Sequence, residues 1–149
     1  MIERVGMEAA AELAALHASA FAKAWSASEM EVMLNNPAVI ALAVRPVPAT
    51  GFALAWVAAG DAEVLTLAVH PDARRAGLGG RLLEATLQHA LARGARSIHL
   101  EVAEDNRAAR ALYAKWGFNE AGRRIGYYAR ERAAVDAIVM RLGLAPDEP

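Results

Sequence analysis

The spacing of apolar positions along this chain changes several times, and each change marks a new element. "AVIALAVR" and "GFALAWVAA" are short, nearly continuous apolar runs on either side of the turn-rich "PVPATG", and they predict two strands joined by a turn. "AEVLTLAVH" alternates, and "HPD" stops it because proline cannot continue a ladder. From Leu78 the spacing lengthens: Leu78, Leu82, Leu83, Ala85, Leu87, Ala90 and Leu91 fall on one broad helical arc, opposite Arg81, Glu84 and Gln88. "RSIHLEVA" returns to a strand pattern, and "NRAARALYAKW" carries the helical stripe Ala109, Leu112, Tyr113 and Trp116. "GFNEAGRRIGYY" and "AAVDAIVMRL" read as two last strands. Nearer the start, "IERV" predicts a short strand and Met7 to Phe21 a helix. "SASE", Ser26 to Glu29, is a capping box that opens a second helix, which "NNP" closes.

This order begins with antiparallel hairpins and places a strand, helix, strand, helix unit in the middle. Such a unit implies two parallel strands joined by a right-handed crossover. The expected fold class is therefore α/β: a mixed, mostly antiparallel central sheet with one parallel pair and helices on both faces. At 149 residues, 56% hydrophobic and 22% charged, the chain predicts one domain over 1–149, with residues 145–149 a frayed tail. Glu8 and Glu12 interrupt the N-terminal apolar stretch, and no uncharged run reaches the ~18 residues of a membrane span, so a soluble, cytoplasmic protein is expected. A net charge of -1 predicts no nucleic-acid partner. The absence of cysteine excludes a cysteine acyl-enzyme and thiolate metal sites, and no histidine pair has metal-ligand spacing, so no metal is expected.

Candidate chemistry gathers around "HPDARRAGLGG", where a strand gives way to a helix. Gly77, Gly79 and Gly80 cost backbone entropy at a helix start, but they let a ligand approach unpaired N–H groups at the positive end of the helix dipole. The demand is for an anion, most simply a phosphate. A Walker loop needs a lysine after the glycines, and the dinucleotide fingerprint needs a glycine where Leu82 stands; neither fits. Glu101 shares a strand face with His99 in a position that is normally apolar. Buried without a partner it becomes a base near neutral pH; at an exposed strand end it forms an ordinary ion pair. Tyr113 is either a packing residue or a proton donor on the core-facing stripe. Arg123 and Arg124, close to Tyr127 and Tyr128, mark either a solvated edge strand or an acceptor-binding hairpin.

R-x-x-G-x-G, Arg74 to Gly79, resembles the pyrophosphate loop of the GNAT superfamily of acetyl-CoA-dependent N-acetyltransferases, and N-x-x-A-x-x-x-Y, Asn106 to Tyr113, followed by Gly117 and Phe118, resembles its second motif. "AWSASE", "HLEV", "ALY" and "GYY" leading to "DAIVM" extend the likeness over nearly the whole chain, towards the RimI-type group, which acetylates the N-terminal alanine of a ribosomal protein. The resemblance implies acetyl-CoA as cosubstrate, a GNAT fold with a splayed parallel pair, and direct attack by an amine. It implies that the backbone of Leu67, Ala68 and Val69 polarises the acetyl carbonyl, and that Arg74, Arg75, Ala76, Gly77, Leu78, Gly79 and Gly80 hold the phosphates. Asn106 would contact the pantetheine arm, Glu101 act as base and Tyr113 as acid. Trp25, Tyr127 and Tyr128 would bind a peptide or protein N-terminus. The group's proline before the tryptophan is Ala24 here, and its acidic residue before "DA" is Val135. Acceptors of a different kind, a small amine or a lysine side chain, fit the same motifs, as does a silent acetyl-CoA sensor.

Overall fold

The computed structural model describes residues 1–21, 23–74, 76–128 and 134–144. Arg75 and the tail 145–149 lie outside the described residues. In chain order the strands are β1 (Ile2–Arg4), β2 (Val39–Val44), β3 (Gly51–Ala58), β4 (Asp61–Val69), β5 (Ser97–Ala103), β6 (Asn119–Tyr128) and β7 (Val135–Gly143). The helices are α1 (Ala10–Ala20), α2 (Ala27–Leu34), α3 (Leu78–Ala92) and α4 (Arg107–Lys115). One seven-stranded sheet runs β1-β2-β3-β4-β5-β7-β6, antiparallel between neighbours except for the parallel pair β4 and β5.

Two apolar layers sandwich this sheet. Leu82, Leu83 and Ala90 of α3 and Tyr113 of α4 pack with Ile40, Leu42, Ile98 and Leu100 on one face. Leu13 and Leu16 of α1 and Met30 of α2 pack with Ala41, Ala43, Phe52 and Leu54 on the other. Because β2 is covered on both sides, all six of its residues are buried, which explains a continuous apolar run where a half-exposed strand would alternate. The expected helix from Met7 opens as a 3₁₀ turn over Met7–Ala9, with no side-chain cap at Gly6 or Ala9 to start a regular first turn. The Ser26 capping box is formed: Ser26 Oγ accepts from the Glu29 N–H at 3.1 Å, and Glu29 Oε1 accepts from the Ser26 N–H at 3.0 Å. On α3 the buried stripe includes Thr86, whose hydroxyl donates to the Leu82 carbonyl at 2.7 Å, while Leu91 is exposed. The buried stripe of α3 is therefore narrower than the periodic arc predicts, and it is centred on Leu82, Leu83, Thr86 and Ala90.

The feature that positions the site is a divergence of β4 from β5. Their pairing covers Asp61↔Ser97, Ala62↔Ile98 and Glu63↔His99. Just beyond, β3 and β4 slip register: Ala55 faces Val64 and Leu54 faces Thr66, so Leu65 is an extra residue in β4. A bulge sharpens local twist and bends its strand, and here the far half of β4 leaves β5. It also reverses which side each residue faces. Ala62 and Val64 pack with the α3 layer, whereas Ala68, an even residue of the same strand, packs with the α1 and α2 layer.

Candidate active site

The gap between the parted strands contains two adjoining cavities. The smaller, about 500 Å³, is walled by Leu67 and Val69 of β4, Arg74, Gly77 to Gly80, and Ala109 and Leu112 of α4. Gly77 caps α3 at φ +77°, a left-handed conformation that explains its glycine. No side chain caps this helix, and its first intrahelical bond runs from the Arg81 N–H to the Gly77 carbonyl at 3.2 Å. The N–H groups of Leu78, Gly79 and Gly80 therefore face the cavity end without intrahelical partners. Gly79 and Gly80 serve packing as well: an added Cβ would lie 3.4 Å from Leu112 Cδ2 and 3.4 Å from Trp116 Nε1 respectively, so their bareness lets α4 close on the start of α3. Arg74 Nε donates to the Val69 carbonyl at 3.2 Å, which folds the guanidinium over the end of β4. Uncapped N–H donors, a nearby cation and apolar walls fit a pyrophosphate with an aliphatic arm. Ala68, on the α1 and α2 side, and Ala76 do not line this cavity.

The larger cavity, about 1120 Å³, shares Leu67 and Ala109 with the first and brings together Leu100 to Ala103 of β5, Asn106, Tyr113, Tyr127 and Tyr128. Asn106 Oδ1 accepts from the Ala109 N–H at 3.2 Å and caps α4. Glu101 is 22% exposed and is not alone: Arg124 Nη1 donates to its two oxygens at 3.0 and 3.1 Å. The condition under which burial alone makes Glu101 a base is thus not met, and the ion-pair alternative is present inside the cleft rather than at a strand end. Each carboxylate oxygen still keeps a second lone pair for an amine or a water. Tyr113 is 8% exposed, its ring tilted against that of Phe118 at 5.7 Å. Burial, with the neighbouring Tyr128, pushes its hydroxyl pKa up to about 12. The phenol stays protonated through the ordinary pH range.

At the mouth, Arg124 lies 3.8 Å over the Tyr127 ring, and Tyr127 meets Tyr128 edge to face at 5.1 Å. Arg123 points elsewhere, bonded to Glu104 and Asp136 at 2.7 Å each, so of the two adjacent arginines only Arg124 reaches Glu101. Val135 sits opposite Tyr128 in the β6 and β7 register. Trp25 does not line the cleft. Its backbone N–H donates to His17 Nδ1 at 3.1 Å and its ring stacks on His17 at 5.0 Å, whereas Phe21 and Lys23 before it do reach the cavity. Burial lowers the His17 pKa. Phe21, Lys23 and Thr66 are cleft residues that periodicity did not single out; Thr66 was hidden because only the bulge turns it this way. His99, 3.4 Å from Asp61 and 3.8 Å from Glu63, belongs to a surface ladder beside the cleft. Among the described residues no cluster of three potential ligands could hold a metal, and no helix is long and apolar enough to cross a membrane.

Residues 10–118 match the acetyltransferase (GNAT) family. Over 94 residues the chain is 42% identical to the [ribosomal protein bS18]-alanine N-acetyltransferases of Salmonella typhimurium and Escherichia coli, a stretch covering 63% of this chain and spanning 64% of those relatives' length. The crystal structure of the ribosomal-protein-S18-alanine N-acetyltransferase from Escherichia coli superposes with a TM-score of 0.92 at 30% identity, over 99% of this chain and 96% of that one. Arabidopsis thaliana NAA60 in complex with acetyl-CoA shares the fold alone, with a TM-score of 0.84 at 17% identity over 96% of this chain and 97% of that one. A glycine-floored cleft between parted parallel strands and a family match across most of the sheet lead to one conclusion: the chain belongs to the GNAT acetyltransferase family.

Proposed function

We propose that this protein transfers an acetyl group from acetyl-CoA to a primary amine, and that the amine is the N-terminal α-amine of a ribosomal protein beginning with alanine. The observation that carries the proposal is the continuity of the cleft, from the uncapped start of α3 to Glu101, Tyr113 and the Tyr127 and Tyr128 lip, within a fold matching the Escherichia coli S18 enzyme over 99% of this chain. Bound acetyl-CoA supplies an activated acetyl thioester. The N–H groups of Leu78 to Gly80 and the Arg74 guanidinium hold its phosphates, and Asn106 contacts its pantetheine arm. Backbone N–H groups along Leu67 to Val69, on the edge that β5 has left, polarise the carbonyl. An amine must be neutral to attack, so Glu101 takes its proton, directly or through a water, from a lone pair that Arg124 leaves open. Tyr113, held protonated by burial, gives a proton to the departing sulfur. With no cysteine to form a thiol acyl-enzyme, and with the family resemblance implying direct attack, the amine attacks the thioester itself. The reaction belongs in the cytoplasm, where ribosomal N-termini are exposed.

Mass spectrometry tests this reading. The protein and acetyl-CoA are incubated with an alanine-initiated peptide, an N-terminally blocked lysine peptide, and a polyamine. Acetylation of the first alone is expected. Modification of the lysine peptide or the polyamine in its place moves the acceptor to a side chain or a small amine, and no product from any of them marks a silent sensor.

A further inference from the structure

Thr66 Oγ1 is buried, makes no hydrogen bond in the protein, and is the one such side-chain atom among the described residues. The residue is 8% exposed and contributes to the wall of the larger cavity. A buried hydroxyl left without a partner is a standing penalty, because its hydration is lost and nothing replaces it. Such an orphan in a native structure calls for a ligand or a mechanistic use. Its place in the fold points to which. Thr66 follows immediately on the Leu65 bulge, just past the last paired residue of β4 against β5, Glu63. Its partner in β3, Leu54, and its neighbour two residues on, Ala68, belong to the layer beneath α1 and α2. Glu101 faces the same side, since Ile98, Leu100 and Val102 of β5 all pack towards α3. The two diverging strands thus each present one oxygen-bearing side chain on one side of the sheet, around one cavity.

We propose that the Thr66 hydroxyl is a positioning group for the acceptor's reacting amine, accepting one of its N–H bonds while Glu101 takes the proton from another. A threonine hydroxyl can do this by turning about χ1 towards the cleft, and it serves as donor or acceptor as the amine requires. This rests on the reading of the cleft as the place where an amine meets the thioester. Among the described residues no protein group satisfies the hydroxyl, and the bound acceptor completes it.

Thr66→Val and Thr66→Ser test the idea, each compared with wild-type protein on the amine that the wild type turns over. Valine keeps the shape and removes the hydroxyl. It is expected to lower kcat/KM for the amine about tenfold, the usual size of one lost hydrogen bond, with acetyl-CoA affinity by calorimetry unchanged. The melting temperature should hold or rise by about 2–4 °C, because an unsatisfied group has gone. Thr66→Ser should recover most of the lost rate. A lower melting temperature for Thr66→Val, with amine kinetics intact, would mean that a resident water already satisfies the hydroxyl, and overturns the proposal. Loss of acetyl-CoA affinity instead overturns it in favour of a cofactor contact, and unchanged kinetics throughout overturn it outright. A wild type that acetylates no amine removes this inference together with the reading beneath it; failure of the variant against an active wild type removes the inference alone.

Discussion

At the scale of single residues, Glu101 and Tyr113 are expected to fail in different ways. Glu101→Gln keeps the shape and the polar contact to Arg124 but cannot accept a proton, so turnover should fall by about 10²-fold or more while calorimetric affinity for acetyl-CoA is retained. Raising the pH should restore part of the rate, since more of the amine is then neutral without help. Tyr113→Phe removes only a hydroxyl from a packed ring, so affinity and melting temperature should again hold. Alkaline conditions should not rescue it, because the departing sulfur still lacks a donor. Wild-type Tyr113 should not lose its proton within the assay range, its pKa having been pushed up to about 12 by burial. The two alkaline profiles should therefore diverge. If instead both variants lose melting temperature in step with activity, the residues are structural and the assigned roles fall. The ion pair between Glu101 and Arg124 was not legible in sequence, because the arginine comes from another strand, 23 residues away.

At the scale of elements, most of the sheet could be read from the chain, because strand and helix periods are local properties. What could not be read was the consequence of one extra residue. Strict alternation puts Ala62, Val64, Thr66 and Ala68 on one face of β4, and it is the Leu65 bulge that moves the last two to the other. Register against β3 decides that, and register is a pairing property absent from any single segment. The glycine loop shows the opposite case: its composition signalled an anion site, and the structure adds that Gly79 also makes room for α4. A graded series separates the two demands. Gly79→Ala places a Cβ at 3.4 Å from Leu112, an ordinary contact, and should bind acetyl-CoA close to normally. Gly79→Val adds branches that must invade either α4 or the phosphate path, and affinity measured by calorimetry should fall at least about tenfold. Normal binding by the valine variant would sink the phosphate-loop reading. A melting temperature that falls along with the affinity would assign the glycine to helix packing instead.

At the scale of the whole molecule, the two faces of the sheet divide the labour. The α3 and α4 layer carries the uncapped helix start, while the α1 and α2 layer carries the loop that brings Phe21 and Lys23 to the cleft. That second layer depends on His17. Its ring is buried between Phe21 at 4.4 Å and Trp25 at 5.0 Å, and its Nδ1 accepts the Trp25 N–H, which requires the neutral form. Burial lowers its pKa in the folded state below the ordinary value of about 6.5 that it has when unfolded. The unfolded chain therefore binds this proton at a higher pH than the native one does. Stability contributed by neutral His17 is fully present above the unfolded value, and it is lost as the pH falls through about 6.5 towards the folded value. Thermal melts of wild type and His17→Asn, compared from about pH 7.5 to about pH 5.5, should show an advantage for the wild type that shrinks on acidification. Because His17 anchors the loop that carries Phe21 and Lys23, the wild-type KM for the amine should rise over that window by more than that of His17→Asn, protonation of the amine itself affecting both alike, and before acetyl-CoA affinity changes. If the stability advantage of His17 is constant across it, protonation of this ring does not govern the α1 and α2 layer. If acetyl-CoA affinity fails first, acid acts on the opposite face of the sheet.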